Sequence, residues 1–168
     1  MEMGMIVMIA IAIVLCLMVW PRLFNMAEYW PTSINKARRM LRIANLKKGE
    51  IFYDLGCGEG RFVILAANEF KAKARGIEID PTRYALAKIL TALLSKDAKI
   101  IFGDFMKKDF SDADVISVFL KPVPMKRLKN KLKTLKKGTR IISNLWKFPG
   151  IKPSFADEKA KIYLYTVK

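Results

Sequence analysis

The residues best suited to chemistry lie in a glycine-rich segment, Tyr53-Asp-Leu-Gly-Cys-Gly-Glu-Gly-Arg61, between a predicted strand and a predicted helix. The segment holds three glycines, Gly56, Gly58 and Gly60. Glycine permits a tight turn and a close approach of backbone to ligand, and the next helix begins with free N–H groups. The dinucleotide fingerprint needs its third glycine one residue later, where Arg61 stands. Because Asp54 and Glu59 would repel a pyrophosphate, the segment favours a ligand with an ammonium group and no phosphate.

Two further segments carry groups that fit the rest of such a ligand. Glu78 ends the second predicted strand, in Gly76-Ile-Glu-Ile-Asp80, where a carboxylate can accept hydrogen bonds from both ribose hydroxyls. Asp104 and Phe105 close the third strand, where they can receive an adenine amine and cover the ring. We therefore predict S-adenosylmethionine as the cofactor. The alternatives are glycines that serve packing only and dehydrogenase-like nucleotide binding.

These segments resemble the signature of the class I, seven-stranded methyltransferases, which is similar to Asp54-Leu-Gly-Cys-Gly-Glu-Gly60 followed by Gly76-Ile-Glu-Ile-Asp80. The resemblance extends over about residues 30 to 167. The cofactor-binding residues that it implies are Thr32, Asp54, Gly56, Gly58, Glu59, Glu78, Asp104 and Phe105.

Within that class, Tyr29-Trp-Pro-Thr32, the Met40-Leu41 pair and Ala113–Leu120 look like the small protein-lysine methyltransferases of archaea and their membrane-anchored mitochondrial relatives. The family commonly has Val-Pro-Thr-Pro where this chain has Trp30–Ser33, and Tyr-Leu where it has Phe119-Leu120. The second difference removes a hydroxyl group near the acceptor site. The resemblance implies methylation of protein lysines.

The residues that receive the methyl acceptor cannot include a histidine, because the sequence contains none. A histidine base is therefore excluded, and so are His-ligated zinc and Ser-His-Asp hydrolysis; we expect no metal. We interpret Tyr29, Trp30 and Phe119 as a channel that desolvates a lysine amine, and Asp114 as the group that orients it. The alternatives are interfacial anchors for the aromatic residues and a cap at the start of a strand for Asp114.

The elements that position these residues alternate between strand and helix, which predicts a Rossmann-like α/β fold with a mainly parallel sheet. The predicted strands are 51–55, 74–79, 99–102, 114–120 and 139–143, followed by a C-terminal antiparallel hairpin within 152–167. The predicted helices are 33–45, 62–70, 81–95 and 122–138. Ligands of such folds bind at the carboxyl ends of the strands.

The N-terminal segment has a different composition from the rest of the chain. Met3–Trp20 is uncharged and almost wholly apolar, and its length suits one transmembrane helix; a signal peptide and a buried helix are the alternatives. Basic residues follow this segment, which predicts a cytoplasmic body and a single-pass membrane protein. We thus expect an anchor at residues 1–24 and a catalytic domain at 25–168.

The body is strongly basic, with a formal net charge of +16 over 168 residues. Lys121–Arg140 holds nine basic residues and no acidic one. Because no aromatic residues interleave to stack bases, nucleic-acid binding is an alternative that we do not favour over a solvated, membrane-facing or substrate-docking surface. We predict a monomeric S-adenosylmethionine-dependent protein-lysine methyltransferase. Methylation of a lipid, quinone or RNA, and a non-catalytic cofactor-binding module at the membrane, remain as alternatives.

Overall fold

The computed structural model describes residues 3–9, 11–13 and 32–168. The chain divides into two units, Met1–Trp30 and Pro31–Lys168. In the first unit, residues 3–9 and 11–13 are helical and their side chains are exposed. Residues 10 and 14–20 of the predicted transmembrane helix lie outside the described residues. Among those that are described, no helix combines the length and the apolar character needed to cross a membrane.

The second unit is a seven-stranded sheet flanked by helices. Its strands are β1 (Ile51–Leu55), β2 (Lys73–Glu78), β3 (Ala98–Phe102), β4 (Val115–Val118), β5 (Arg140–Asn144), β6 (Phe155–Asp157) and β7 (Ile162–Thr166). Its helices are α1 (Ile34–Ile43), α2 (Arg61–Phe70), α3 (Pro81–Leu94) and α4 (Pro122–Lys131), with 3-10 turns at Phe105–Lys107 and Leu132–Thr134.

The strand order is β3-β2-β1-β4-β5-β7-β6. Strands β1 to β5 are parallel to one another, whereas β7 is antiparallel to β5 and to β6. The predicted α/β fold with its C-terminal antiparallel hairpin is confirmed. The order of the strands reverses between β1 and β4, and an open α/β sheet binds its ligand at such a point.

Local sequence signals explain where the helices begin. Ser33 caps α1, since its side chain accepts a hydrogen bond from the Lys36 N–H at 3.4 Å. Asp80 caps α3 by accepting from the N–H groups of Thr82 and Arg83, and Pro81 occupies the first turn, where a missing N–H leaves no bond unmade.

Two helices end earlier than the sequence pattern predicts. α1 stops at Ile43, because Asn45 adopts a left-handed backbone with φ 49°. The predicted helix 122–138 is α-helical only to Lys131 and then tightens into the 3-10 turn. Its predicted apolar stripe is nevertheless buried: Met125, Leu128, Leu132 and Leu135.

The core lies on both faces of the sheet. On one face, residues of α1, α2 and α3 such as Met40, Val63 and Ala87 pack with Phe52. On the other face, Met125 and Leu128 of α4 belong to a second cluster. The sheet is therefore covered on both sides, and its carboxyl edge is the place where polar side chains collect.

Candidate functional site

The glycine-rich loop follows the end of β1 and turns directly into α2. Gly56, Gly58 and Gly60 have φ values of 82°, 55° and 80°, a left-handed region that side chains strongly disfavour. The loop also packs closely on β2, because a Cβ atom added to Gly76 would lie 2.6 Å from the Cys57 Sγ. Cys57 itself is buried, which raises the pKa of its thiol well above the usual value and disfavours the reactive thiolate form.

Glu78 ties this loop to the end of β2. Its Oε2 accepts a hydrogen bond from the Gly58 N–H at 2.8 Å, and its Oε1 accepts from the N–H groups of Ile79 and Asp80 at 3.0 and 2.9 Å. The residue is only 5% exposed. The carboxylate is thus fixed beside the glycine backbone, whereas its role toward ribose hydroxyls stays a prediction.

Asp54 is a second buried carboxyl group at the same edge, on β1. Burial raises the pKa of Asp54 from 3.8 to about 7; the hydrogen bond from Ser117 lowers it and the neighbouring Glu78 raises it further. The Ser117 hydroxyl donates to the Asp54 Oδ1 at 2.6 Å from the adjacent strand β4. A buried carboxyl group of this kind gains most from a cationic partner.

Ser117 was not among the residues predicted from the sequence. It lies within the apolar run of β4, and only the pairing of β1 with β4 in the sheet brings it beside Asp54.

Asp104 and Phe105 follow β3 in the 3-10 turn. The Asp104 Oδ1 accepts a hydrogen bond from the Met106 N–H at 2.8 Å, and Phe105 is half-buried against the core. Two apolar side chains at the neighbouring strand ends are exposed. They are Ile79, which follows β2, and Phe102, which ends β3 and pairs with Glu78. Exposed apolar side chains at this edge are suited to cover a planar base, and the sequence analysis missed both of them.

Glu59 makes a surface ion pair within the loop. Its Oε2 accepts from the Arg61 Nη2 at 2.8 Å and from the Nε at 3.0 Å. Glu59 is therefore partly neutralised, and Asp54 is the carboxyl group more available to a ligand ammonium group.

Aromatic side chains follow β4 and β5, and the first ionisable residues after these strands are Lys121 and Lys147. Phe119 follows β4 and is half-buried, and Trp146 follows β5 and is exposed. Between them in the fold, Asn144 ends β5 and donates through Nδ2 to the Thr32 Oγ1 at 3.0 Å. Asn144 and Trp146 were missed by the sequence analysis, because each stands in a segment with no recognisable motif.

Asp114 is not at this edge, which corrects its predicted role in orienting the acceptor. It immediately precedes β4, at the amino end of the sheet. Its Oδ2 accepts from the Ile51 N–H at 2.8 Å, and its Oδ1 pairs with the Lys136 Nζ at 2.6 Å. These contacts match the alternative interpretation, a cap at the start of a strand. Tyr29 and Trp30, the other residues predicted for the acceptor channel, lie outside the described residues.

The geometry can therefore be tested against the predicted cofactor. The glycine loop has a left-handed backbone, a buried carboxyl group on β1 suits an ammonium group, and a fixed carboxylate ends β2. No basic side chain that would hold a phosphate belongs to this set, and within the described residues no group of His, Cys, Asp and Glu is arranged to bind a metal ion. The residues present fit S-adenosylmethionine.

Fold and site together define a class I methyltransferase domain, and comparisons with known proteins agree. The model of the ANTKMT methyltransferase domain family matches residues 54–155. A protein-lysine N-methyltransferase of Saccharolobus islandicus is 40% identical over 149 residues, which cover 83% of this chain and 92% of that protein. The mouse adenine nucleotide translocase lysine N-methyltransferase is 30% identical over 128 residues, covering 74% of this chain and 56% of that protein.

A solved structure is also similar over most of the chain. An RNA methyltransferase from Salinibacter ruber, in complex with S-adenosyl-L-homocysteine, superposes with a TM-score of 0.77 at 30% identity, covering 82% of this chain and 94% of the other. The chain belongs to the ANTKMT methyltransferase domain family. It is a methyltransferase, and its cofactor is S-adenosylmethionine, as the sequence predicted.

Proposed function

We propose that the protein transfers a methyl group from S-adenosylmethionine to the side-chain amine of protein lysines. The observation that carries this proposal is the character of the edge beside β4 and β5. The two residues directly after each strand, and Asn144 at the end of β5, have no ionisable side chain; these residues are Phe119, Leu120, Asn144, Leu145 and Trp146. Lys121 and Lys147 come next in the chain, and Lys147 pairs with Glu158. The names of the relatives from Saccharolobus islandicus and mouse support the same acceptor.

An amine is the acceptor that such a surface suits. When bound, the cofactor supplies a methyl group already activated by a sulfonium. The enzyme must then align a neutral amine with that group, so that the N–C bond forms as the C–S bond breaks and the amine proton passes to water. The pKa of a lysine amine is about 10.4 in water, and desolvation beside Phe119 and Trp146 would lower it. We include Tyr29 and Trp30 in this apolar surface, on sequence grounds.

Cofactor binding divides among three strands in this proposal. Asp54 would hold the ammonium group, Glu78 the ribose hydroxyls, and Asp104 with Phe105 the adenine. Thr32 would close the site from the start of α1. The glycine loop would let the backbone approach the ligand.

The acceptor class is tested by following a labelled methyl group. The purified full chain is incubated with methyl-tritiated S-adenosylmethionine and a cell extract, and the product is divided into protein, RNA and organic-solvent fractions. We expect ribonuclease-resistant label in protein. Label confined to RNA or to the solvent phase would contradict the proposal. The Gly58→Arg variant, whose side chain would fill the cofactor loop, is the matched negative control.

RNA is the second candidate acceptor, because the similar solved structure from Salinibacter ruber, at 30% identity, is that of an RNA methyltransferase. The lysine-rich helix α4 supplies the charge that an RNA ligand would need. Two of its three lysines already bond within the fold, since the Lys131 Nζ donates to the carbonyl oxygens of Phe105 and Met106, and the Lys129 Nζ to that of Pro149. Because these lysines bond to backbone carbonyl groups, and because apolar residues follow β4 and β5, we favour protein over RNA as the methyl acceptor.

We further propose that the N-terminal segment attaches the enzyme to a membrane, with the catalytic domain on the cytoplasmic side. The support is its uncharged apolar sequence from Met3 to Trp20 and the helical, exposed residues within it. After expression of the full chain, alkaline carbonate should leave the protein in the membrane pellet. Release into the supernatant would refute the anchor without affecting the proposed chemistry.

A further inference from the structure

We propose that Asn144 positions the amine to be methylated, by accepting a hydrogen bond from it through Oδ1. This inference rests on the proposed function, because it needs an amine as the acceptor. Asn144 is 4% exposed, and its Nδ2 is bound to the Thr32 hydroxyl. Its Oδ1, by contrast, is a buried oxygen that has no hydrogen-bond partner among the described residues. A buried polar atom without a partner is unfavourable because it has lost its hydrogen bond to water, and a substrate that donates a hydrogen bond would remove this penalty.

The strand register puts Asn144 in line with the cofactor site. Leu55 pairs with Ile77 and with Val118, and Val118 pairs with Ser143. The next residue of each strand therefore forms a single row along the carboxyl edge, and the side chains of a row lie on the same face of a sheet. The members of this row are Glu78, Gly56, Phe119 and Asn144.

The order of the strands assigns the two halves of this row to different ligands. The predicted adenine, ribose and ammonium partners stand at β3, β2 and β1. The cofactor thus extends toward β4, and the acceptor must come from the β4 and β5 side. Adjacent strands are about 4.8 Å apart, and Asn144 on β5 is separated from Gly56, after β1, by roughly two such spacings. We expect the end of a substrate side chain to lie at about this distance from the glycine-rich loop.

The backbone around Asn144 is held in an unusual shape. Leu145 has φ 72°, a left-handed value that a leucine rarely adopts. The Trp146 N–H donates to the Asn144 carbonyl oxygen at 2.9 Å, and the Ser143 hydroxyl donates to the Trp146 carbonyl oxygen at 2.5 Å. These bonds fix the position of Asn144 and place the exposed ring of Trp146 just beyond it.

A neutral amide is better suited to this position than a carboxylate. An amide oxygen accepts a hydrogen bond from an amine without adding charge, whereas a carboxylate would stabilise the ammonium form, which cannot attack a methyl group. The elements around Asn144 carry several ionisable side chains, which are Asp54 on β1, Glu78 on β2, Lys36 and Arg39 in α1, Lys121 after β4, Lys147 after β5, Asp157 on β6, and Glu158 and Lys161 before β7. Lys147 pairs with Glu158 and Arg39 with Asp157. All of these side chains are retained in the variants below.

The test compares Asn144→Asp with Asn144→Ala in the full chain, using the protein fraction that the wild type labels as the acceptor. The rate at saturating cofactor is measured against pH, and cofactor affinity by calorimetry. For Asn144→Asp we expect the pH–rate profile to move to higher pH, with about a tenfold loss at neutral pH for each pH unit of displacement. The contact with Thr32 survives in this variant, because a hydroxyl can donate as well as accept.

For Asn144→Ala we expect about a tenfold lower rate without a displaced profile, as for one lost hydrogen bond, and cofactor affinity near that of the wild type. Asn68→Asp, the same change at an exposed site, should leave rate and profile unchanged. An undisplaced profile for Asn144→Asp would overturn the inference, and so would a loss of cofactor affinity that accounts for the lost rate. Failure of the wild type to label lysine would instead refute the proposed function.

Discussion

Replacement of Asp54 by asparagine should make the cofactor-free protein more stable at neutral and alkaline pH. The folded protein raises the pKa of this carboxyl group from 3.8 to about 7, chiefly by burial. Between these two pH values the folded state binds more protons than the unfolded state, so the free energy of unfolding falls as pH rises through that window. Above about pH 7 the penalty for a buried, ionised Asp54 is fully present, and Asp54→Asn removes it.

The size of this difference in the free energy of unfolding follows from the same pKa of Asp54. Each unit of pKa corresponds to about 1.4 kcal/mol, so the full penalty is on the order of 4 kcal/mol above pH 7. Near pH 4 the carboxyl group is protonated in the folded state and the penalty is absent. The stability difference between Asp54→Asn and the wild type should therefore grow from near zero to a few kcal/mol as pH rises from about 4 to 8.

Urea unfolding of both proteins at a series of pH values measures this difference. Asp97→Asn, at an exposed carboxylate, is the matched control and should follow the wild type. Calorimetry should show that Asp54→Asn binds the cofactor more weakly than the wild type does. The neutral amide of this variant cannot pair with the cofactor's ammonium group as a carboxylate does. Parallel pH curves for Asp54→Asn and the wild type would refute the argument that burial raises this pKa.

Two further substitutions test the loop and its supports. Glu78→Ala removes the acceptor of three backbone N–H groups, so we expect no detectable cofactor binding by calorimetry and a loss of about 3 kcal/mol of stability; full binding would show that the ribose assignment is wrong. Gly76→Ala places a Cβ 2.6 Å from the Cys57 Sγ, so we expect a loss of about 1–3 kcal/mol in urea unfolding, together with weaker cofactor binding. A Gly76→Ala variant as stable as the wild type would mean that the loop is not packed closely on β2.

The cofactor side of the edge could be predicted from the sequence because its residues stand at fixed distances along the chain. Glycines that need a left-handed backbone, a carboxyl group before them and another at the end of the next strand form a local pattern. The structure brings Asp54, Gly58 and Glu78 together as that pattern requires.

The proposed acceptor side could not be predicted in the same way, because its contacts depend on the order of the strands. Ser117 on β4 reaches Asp54 on β1, and Asn144 at the end of β5 reaches Thr32 before α1, so each contact joins segments that are far apart in sequence. Asp114 was assigned to the site although it begins β4. At about 3.3 Å per residue, five residues separate it from Phe119 by roughly 16 Å, so the two ends of one strand could not both face the acceptor.

The most direct test of the central claim is the identity of the methylated residue. Protein labelled by the full chain with methyl-tritiated S-adenosylmethionine is hydrolysed to amino acids, and the label is separated by chromatography. Our account predicts that the label co-elutes with methylated lysines and that Gly58→Arg abolishes it. Label in methylated arginine, glutamine or carboxyl esters, with none in lysine, would contradict the account.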